Sequence, residues 1–141
     1  MSRSVFTIFS DDIRQEMGGK ITYVGTYTGS MQVPEFPATL PKFCISIFCC
    51  FDSEKPVESL HMKVLLGEQV LADERFSPGD QPSKQERNMD TEHPEVIQAN
   101  LFFTPLQIPE PCTLRVEVNA DGEDLQVFPF KISTMNDENV Q

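Results

Sequence analysis

One segment decides what this chain can fold into. Lys42–Phe51 contains the run FCISIFCCF, which is apolar at odd and even positions alike. A strand with two apolar faces belongs in the middle of a structure, covered on each side. Phe43, Ile45 and Ile47 are expected to be buried on one face, with Phe48 and Cys50 covered on the other. Around this segment the chain reads as short strands punctuated by turn residues, the spacing of a sandwich or barrel.

Val5–Phe9 is a first short strand. Ser10–Gly19 is polar, with Ile13 and Met17 four apart, which suits a single helical turn capped by Ser10 or Asp11, or a structured loop. Lys20–Tyr27 alternates, placing Ile21, Tyr23 and Gly25 on one face and Thr22, Val24 and Thr26 on the other. Thr28, Gly29 and Ser30 turn the chain into Met31–Val33. Residues 34–41 hold three prolines and are expected as a crossover or edge segment rather than part of a ladder. Leu60–Val64 alternates, Gly67-Glu68 fits a two-residue hairpin turn, and Gln69–Phe76 returns.

Residues 77–95 contain three prolines and almost nothing apolar, so a long mobile loop is expected, cut first by trypsin near Lys84–Arg87. Val96–Phe103 re-enters the core and Thr104–Pro111 crosses again. Leu114, Val116 and Val118 alternate with Arg115, Glu117 and Asn119, Asp121-Gly122 makes the turn, and Leu125–Ile132 returns. The apolar phase shifts from Leu125 and Val127 to Phe128, Phe130 and Ile132, which predicts a bulge near Pro129. The expected architecture is all-β: a Greek-key, Ig-like β-sandwich of about 8–9 strands with little helix. Residues 1–132 form one domain and residues 133–141 a tail.

With 141 residues the chain is long enough for one real core without staples. Its formal charge of −11 argues against direct nucleic-acid binding, which needs clustered Lys and Arg. No apolar run reaches the length of a membrane span, and the N-terminus lacks a signal-peptide pattern, so a cytoplasmic protein is expected. Cys44 and Cys50 share one strand face and Cys49 takes the other, so none suits a simple bridge. The cysteines read as small buried hydrophobes, with Cys112, in the turn after Pro109–Pro111, the best candidate for a reactive thiol.

Two stretches, Ile8–Tyr27 with Pro34–Ile45 and Leu106–Leu125, carry a resemblance. Asp11 or Asp12 at a strand end, Glu16, Gly19-Lys20, Gly25 and Tyr27 form the first pattern. The second is an apolar–Pro–x–Pro segment, a strand, Asp121-Gly122 and another strand. Together they resemble a family of unknown function made of short bacterial and phage proteins. The resemblance implies a sandwich fold and a phage or prophage origin, and it transfers no catalytic residue or cofactor.

The densest charged cluster is Asp11, Asp12, Arg14 and Glu16. It reads as a turn cap with local ion pairs, as a partner contact, or as a hard-cation site, although it lacks the calcium-loop spacing. His61 and His93 stand without a nucleophile motif, so no catalytic unit is expected, and neither metal nor other cofactor is called for. Charge is unevenly shared: residues 1–66 carry 6 basic and 7 acidic residues, and residues 67–141 carry 5 and 15. The acidic half confers solubility, or forms a face for a basic partner with Asp121, Glu123, Asp124, Glu110 and Glu117 in it. Self-association is expected to use the near-neutral half, through Tyr23, Val24, Tyr27, Met31, Val33 and Phe36. The expected role is therefore a non-enzymatic protein–protein interaction module, an assembly component or oligomeric structural protein. The alternatives are an acidic inhibitor that binds a host protein, with nucleic-acid mimicry as one form of it, and, remotely, a small hydrolase or metal-dependent enzyme.

Overall fold

In a computed structural model the described residues are 3–77 and 94–135, and among them every regular element is a strand. They are β1 (Ser4–Gln15), β2 (Ile21–Tyr27), β3 (Ser30–Val33), β4 (Ala38–Leu40), β5 (Phe43–Asp52) and β6 (Leu60–Leu66). β7 (Gln69–Phe76), β8 (Pro94–Phe103), β9 (Leu106–Ile108), β10 (Cys112–Ala120), β11 (Glu123–Leu125) and β12 (Phe130–Thr134) follow. Sheet A has the order β2-β1-β5-β8. Sheet B has β3-β12-β10-β6-β7, with β11 on β10, and β4 pairs β9 in a third small sheet.

The odd-numbered residues of β5 are all buried, and they share one core with buried residues of β3, β6, β10 and β12 of sheet B. Phe9 of β1 stacks on Phe130 of β12 at 4.3 Å between ring centroids, and Phe43 tilts against the same ring at 6.1 Å. Phe43, Ile45 and Ile47 are fully buried, as the two-sided apolar run requires.

Several local readings are corrected. Ser10–Gln15 is neither a helical turn nor a loop, because β1 runs on through it and keeps its ladder to β2 as far as Gln15–Ile21. Residues 34–41 and 104–111 do join a ladder, a three-rung one between β4 and β9, since prolines sit outside Ala38–Leu40 and Leu106–Ile108. The expected 8–9 strands become twelve for these reasons and because the last return splits in two. Its phase shift is real. The β11 register (Val118 with Leu125) and the β12 register (Leu114 with Phe130) differ by one residue across Gln126–Pro129. Phe130 and Ile132 turn inward, whereas Phe128 is 93% exposed. β12 continues to Thr134, past the expected domain edge at 132, and β8 starts at Pro94, inside the expected loop. The rest of that loop, its trypsin site and the residues after Met135 lie outside the described residues.

The Gly67-Glu68 hairpin has Leu66 opposite Gln69, as the two-residue turn demands, with an irregularity one rung further on between Val64 and Leu65. No described helix is long and apolar enough to cross a membrane.

Candidate functional site

Of the expected charged cluster, Asp11, Asp12 and Arg14 sit on the second half of β1 and Glu16 just past its end, and its members do different things. In the β1–β2 ladder the pairs Ser10–Thr26 and Asp12–Val24 bracket Asp11 and Gly25. Gly25 has φ +64°, and the Asp11 carboxylate fills the space where a Cβ on Gly25 would lie. On a regular strand Tyr23 and Tyr27 would share a face. The left-handed glycine between them sends them to opposite ones. Tyr27 turns inward, with its ring 5.9 Å from Phe43 and 5.8 Å from Phe130, and its hydroxyl donates to Asp11 Oδ1 at 2.6 Å. Burial, then that hydrogen bond and the Asp11 charge, push the phenol above its ordinary pKa.

Tyr23 goes the other way. β2 is separated from β8 by two strands, about 14 Å in a flat sheet at ~4.8 Å per strand. Yet the Tyr23 hydroxyl accepts from Gln98 Nε2 of β8 at 3.2 Å. The hairpin tip therefore bends over the outside of sheet A. Beneath it Ser10, Cys44 and Ser46 are fully buried and Ile13 nearly so. Gln98 Nε2 and the Ser46 hydroxyl both donate to Asn100 Oδ1, at 3.1 and 2.6 Å. Asp12 is tied to Lys42 at 2.6 Å and to Arg14 at 3.5 Å, and the Lys42 ammonium holds its carboxyl below the usual range. Glu16 is exposed beyond the turn that its own N–H closes onto Lys20.

Past the bent tip, the outer face of sheet A opens. Its open rungs are Ser4–Cys50–Val96 and Phe6–Phe48–Gln98, while Ile8–Ser46–Asn100 and Ser10–Cys44–Phe102 run under the tip, and Lys42 Nζ lies 5.5 Å from the centroid of the Phe102 ring at the β8 edge. None of the rung residues is charged. Phe6 is 50% exposed, Val96 54% and Phe102 51%, and Phe6 stacks on Phe48 at 4.4 Å between centroids. Phe48 and Cys50 are thus only half-buried, not covered as expected: the lid on the second apolar face of β5 reaches one end of the strand. The sequence signal lies in the alternate positions Ser4–Ser10, Cys44–Cys50 and Val96–Phe102, which carry Phe, Ile, Val, Cys and polar residues without charge.

The apolar contact candidates of the near-neutral half are mostly core. Met31 and Val33 are buried on β3 against β12, and Phe36 packs on the core from the link before β4. Tyr27 is spent inward.

The acidic hairpin tip is a structural joint. Asp121 adopts φ +52° beside Gly122. Its carboxylate accepts from the N–H groups of Ser59 (2.7 Å) and Glu58 (3.1 Å) and meets Arg3 Nη2 at 3.0 Å. Arg3 also donates to the carbonyls of Ala120 and Pro56, both at 3.3 Å. Burial raises the Asp121 pKa, but the two backbone donors and Arg3 outweigh it and hold the carboxyl below its usual range. Asp121→Ala is expected to cost about 1–2 kcal/mol in urea unfolding, through two lost charge-assisted bonds and a left-handed residue that loses its tolerance for that backbone. A folded pKa below the unfolded one gives stability that is present above the unfolded value and lost as pH falls through the folded one. The gap between wild type and Asp121→Ala should therefore stay constant from pH 8 to 5 and shrink below about pH 4. A gap unchanged at pH 2.5 contradicts this joint.

Glu117 stands opposite Lys63, and Asp124 accepts from Asn119 at 2.8 Å, while Glu123 and Glu110 are exposed. On the outer side of sheet B, a groove of about 730 Å³ is lined by His61, Lys63, Arg115, Glu117 and the overhanging β11. His61 Nε2 lies 2.5 Å from Asp73 Oδ1, a partner the sequence did not reveal because Asp73 comes from the next strand. Among the described residues no group of three or more His, Cys, Asp or Glu could hold a metal ion. Cys112 is not in a turn. It opens β10, and burial, with Glu110 nearby, pushes its thiol up, against the reactive reading. Burial likewise pushes Cys49 up, to about 11.

These strands define an all-β domain in which two larger sheets share one core and part of one outer face carries rungs without a charged residue. The chain belongs to the family of unknown function DUF6941, whose model matches residues 5–133. No curated protein and no solved structure matches it.

Proposed function

We propose that this chain is a non-enzymatic protein–protein interaction module, an assembly component or oligomeric structural protein, and that it works through the outer face of sheet A. The observation that carries the reading is the pairing of high exposure with absence of charge. A chain of net charge −11 leaves Phe6, Val96 and Phe102 about half exposed on the outer side of sheet A, with Phe6 and Val96 on two adjoining rungs that hold no charged residue. Exposed aromatic patches of this kind mark contact surfaces. The acidic-inhibitor alternative has less support, because Asp121 is engaged by Arg3 and Glu117 stands opposite Lys63.

The sandwich we propose is of the Ig-like Greek-key kind. Support comes from the β6–β7 hairpin of sheet B, inserted between the paired strands β5 and β8 of sheet A, and from the parallel pairing of β3 on β12. Four unbridged cysteines support a cytoplasmic setting.

The test is photo-crosslinking in cells, with benzoylphenylalanine in place of Phe102 on sheet A or Val70 on sheet B. The expected result is a discrete protein adduct from position 102 and none from 70. No adduct from 102 sinks the reading.

A further inference from the structure

We infer that β8 is a strand-addition site: an extended segment of another protein, with alternating apolar side chains and one Lys or Arg, pairs with its free edge and fills the slot between β8 and β7. The inference goes beyond the outer-face reading and does not depend on it, because the slot opens on the side of the sandwich.

The edge comes first. β8 ends sheet A and β7 ends sheet B, so among the described residues each has a partner strand on one side only. Sheet edges are normally blunted by charge, proline, bulges or shortness, since their unpaired N–H and C=O groups invite another strand. β7 carries Asp73, Glu74 and Arg75, and its ladder slips beside Val64. β2 has a left-handed residue at Gly25, and β3 is only 4 residues long. β8 has none of these devices. Its ladder to β5 runs from Phe103 to Pro94 without a slip, and Val96–Phe103 contains neither charge nor proline.

The slot decides what can pair there. β7 and β8 stand beside each other at the rims of opposite sheets. At one end Glu74, Phe76, Ile97, Ala99 and Leu101 line a cavity of about 250 Å³. Further along, Leu71, Phe103 and the β4–β9 pair line one of about 710 Å³. Leu71, Phe76, Ala99, Leu101 and Phe103 pack on the core but are only partly buried, so the core is incompletely covered along this side. A helix spends its backbone groups internally. An extended chain offers them to the edge and sends every second side chain into the slot. The stretch Ile97–Phe103 accommodates about 23 Å of such a chain at ~3.3 Å per residue.

Charge names one of those side chains. Glu74 pairs with Met62, which is buried, so the Glu74 side chain stands on the slot side of β7, exposed at its rim. Its carboxylate has no hydrogen-bond or ion-pair partner among the described residues. A Lys or Arg of the occupant, opposite Glu74, supplies one and fixes the register of the added strand.

Selection of a ribosome-displayed library of random twelve-residue peptides on the full chain tests this. Enriched peptides are expected to alternate Val, Ile, Leu or Phe with polar residues over about seven positions and to carry a Lys or Arg. A fluorescein-labelled copy of the leading peptide should bind with a Kd of about 1–100 µM by fluorescence polarisation. N-methylation of one alternate set of its amides should weaken binding at least about tenfold, and of the other set less than about twofold, because only one set faces β8. Glu74→Lys should weaken binding at least about fivefold, and so should Ala99→Phe, which fills the slot. Phe6→Glu, on the outer face two strands away, should leave it unchanged. Glu74→Lys and Phe6→Glu are both at exposed positions and should melt within about 2 °C of wild type. No enriched alternating peptide, equal tolerance of both N-methylated forms, or an affinity untouched by Glu74→Lys and Ala99→Phe overturns the inference. Loss of binding in Phe6→Glu overturns it too, and moves the peptide to the outer face of sheet A.

Discussion

Ile47→Ala is expected to lower the unfolding free energy by about 4 kcal/mol and the melting temperature by roughly 10–15 °C. Ile47 is fully buried at the middle of β5, paired with Thr7 on one side and Ala99 on the other. Both flanking strands hold β5 in place, so the site has little freedom to collapse onto the lost methylenes, and the cavity remains. Most of the loss is transfer and cavity, because Ile47 has no polar partner to strand. Urea unfolding should show the midpoint falling with an unchanged slope. A loss under about 1 kcal/mol would mean that the two sheets do not close over this position.

Gly25→Ala is the second large effect, and it acts through the backbone. A left-handed φ costs a non-glycine residue about 1–2 kcal/mol. The new Cβ would also meet Asp11 Cγ at 3.0 Å and Cβ at 3.4 Å, so the carboxylate cannot swing away without leaving the Tyr27 hydroxyl. The total should come to about 2–4 kcal/mol. Because the clash and the hydrogen bond share one side chain, Gly25→Ala combined with Asp11→Ala should cost less than the sum of the two. The bend would suffer too: Cys44, sealed under the hairpin tip, should become open to iodoacetamide in Gly25→Ala before global unfolding. An additive double variant with Cys44 still protected would mean that Gly25 does not set the bend.

The core was legible in the sequence because burial writes itself as periodicity. The odd positions of β5 and the alternation in β6 and β10 fixed which side chains meet. The one-residue slip near Pro129 was legible for the same reason, since a bulge moves apolar residues to the other phase. Asp11 to Gln15 does not announce itself as strand, because local signals there are polar. What extends β1 through them is pairing with β2, which Asp11 and Gly25 make possible at a distance of fourteen positions. The open face was misread for a different reason. An apolar position says that a side chain gains from cover, but it does not name the cover, and an intramolecular lid and a second chain leave the same mark. Asp73 beside His61 and Arg3 beside Asp121 depend on register and chain crossing, which composition does not carry.

The parallel pairing of β3 with β12 has a temporal meaning. Met31 sits beside Ile132 and Val33 beside Thr134, so the edge of sheet B joins residues about a hundred positions apart. During synthesis β3 waits, an unpaired strand with two apolar side chains, until Phe130–Thr134 arrives. Contacts of such sequence separation make folding slow and leave strand edges uncovered in the interval. A nascent chain halted before Phe130 should therefore hold the β1–β2 and β6–β7 hairpins as early pieces while Met31 and Val33 remain open to capture by a chaperone.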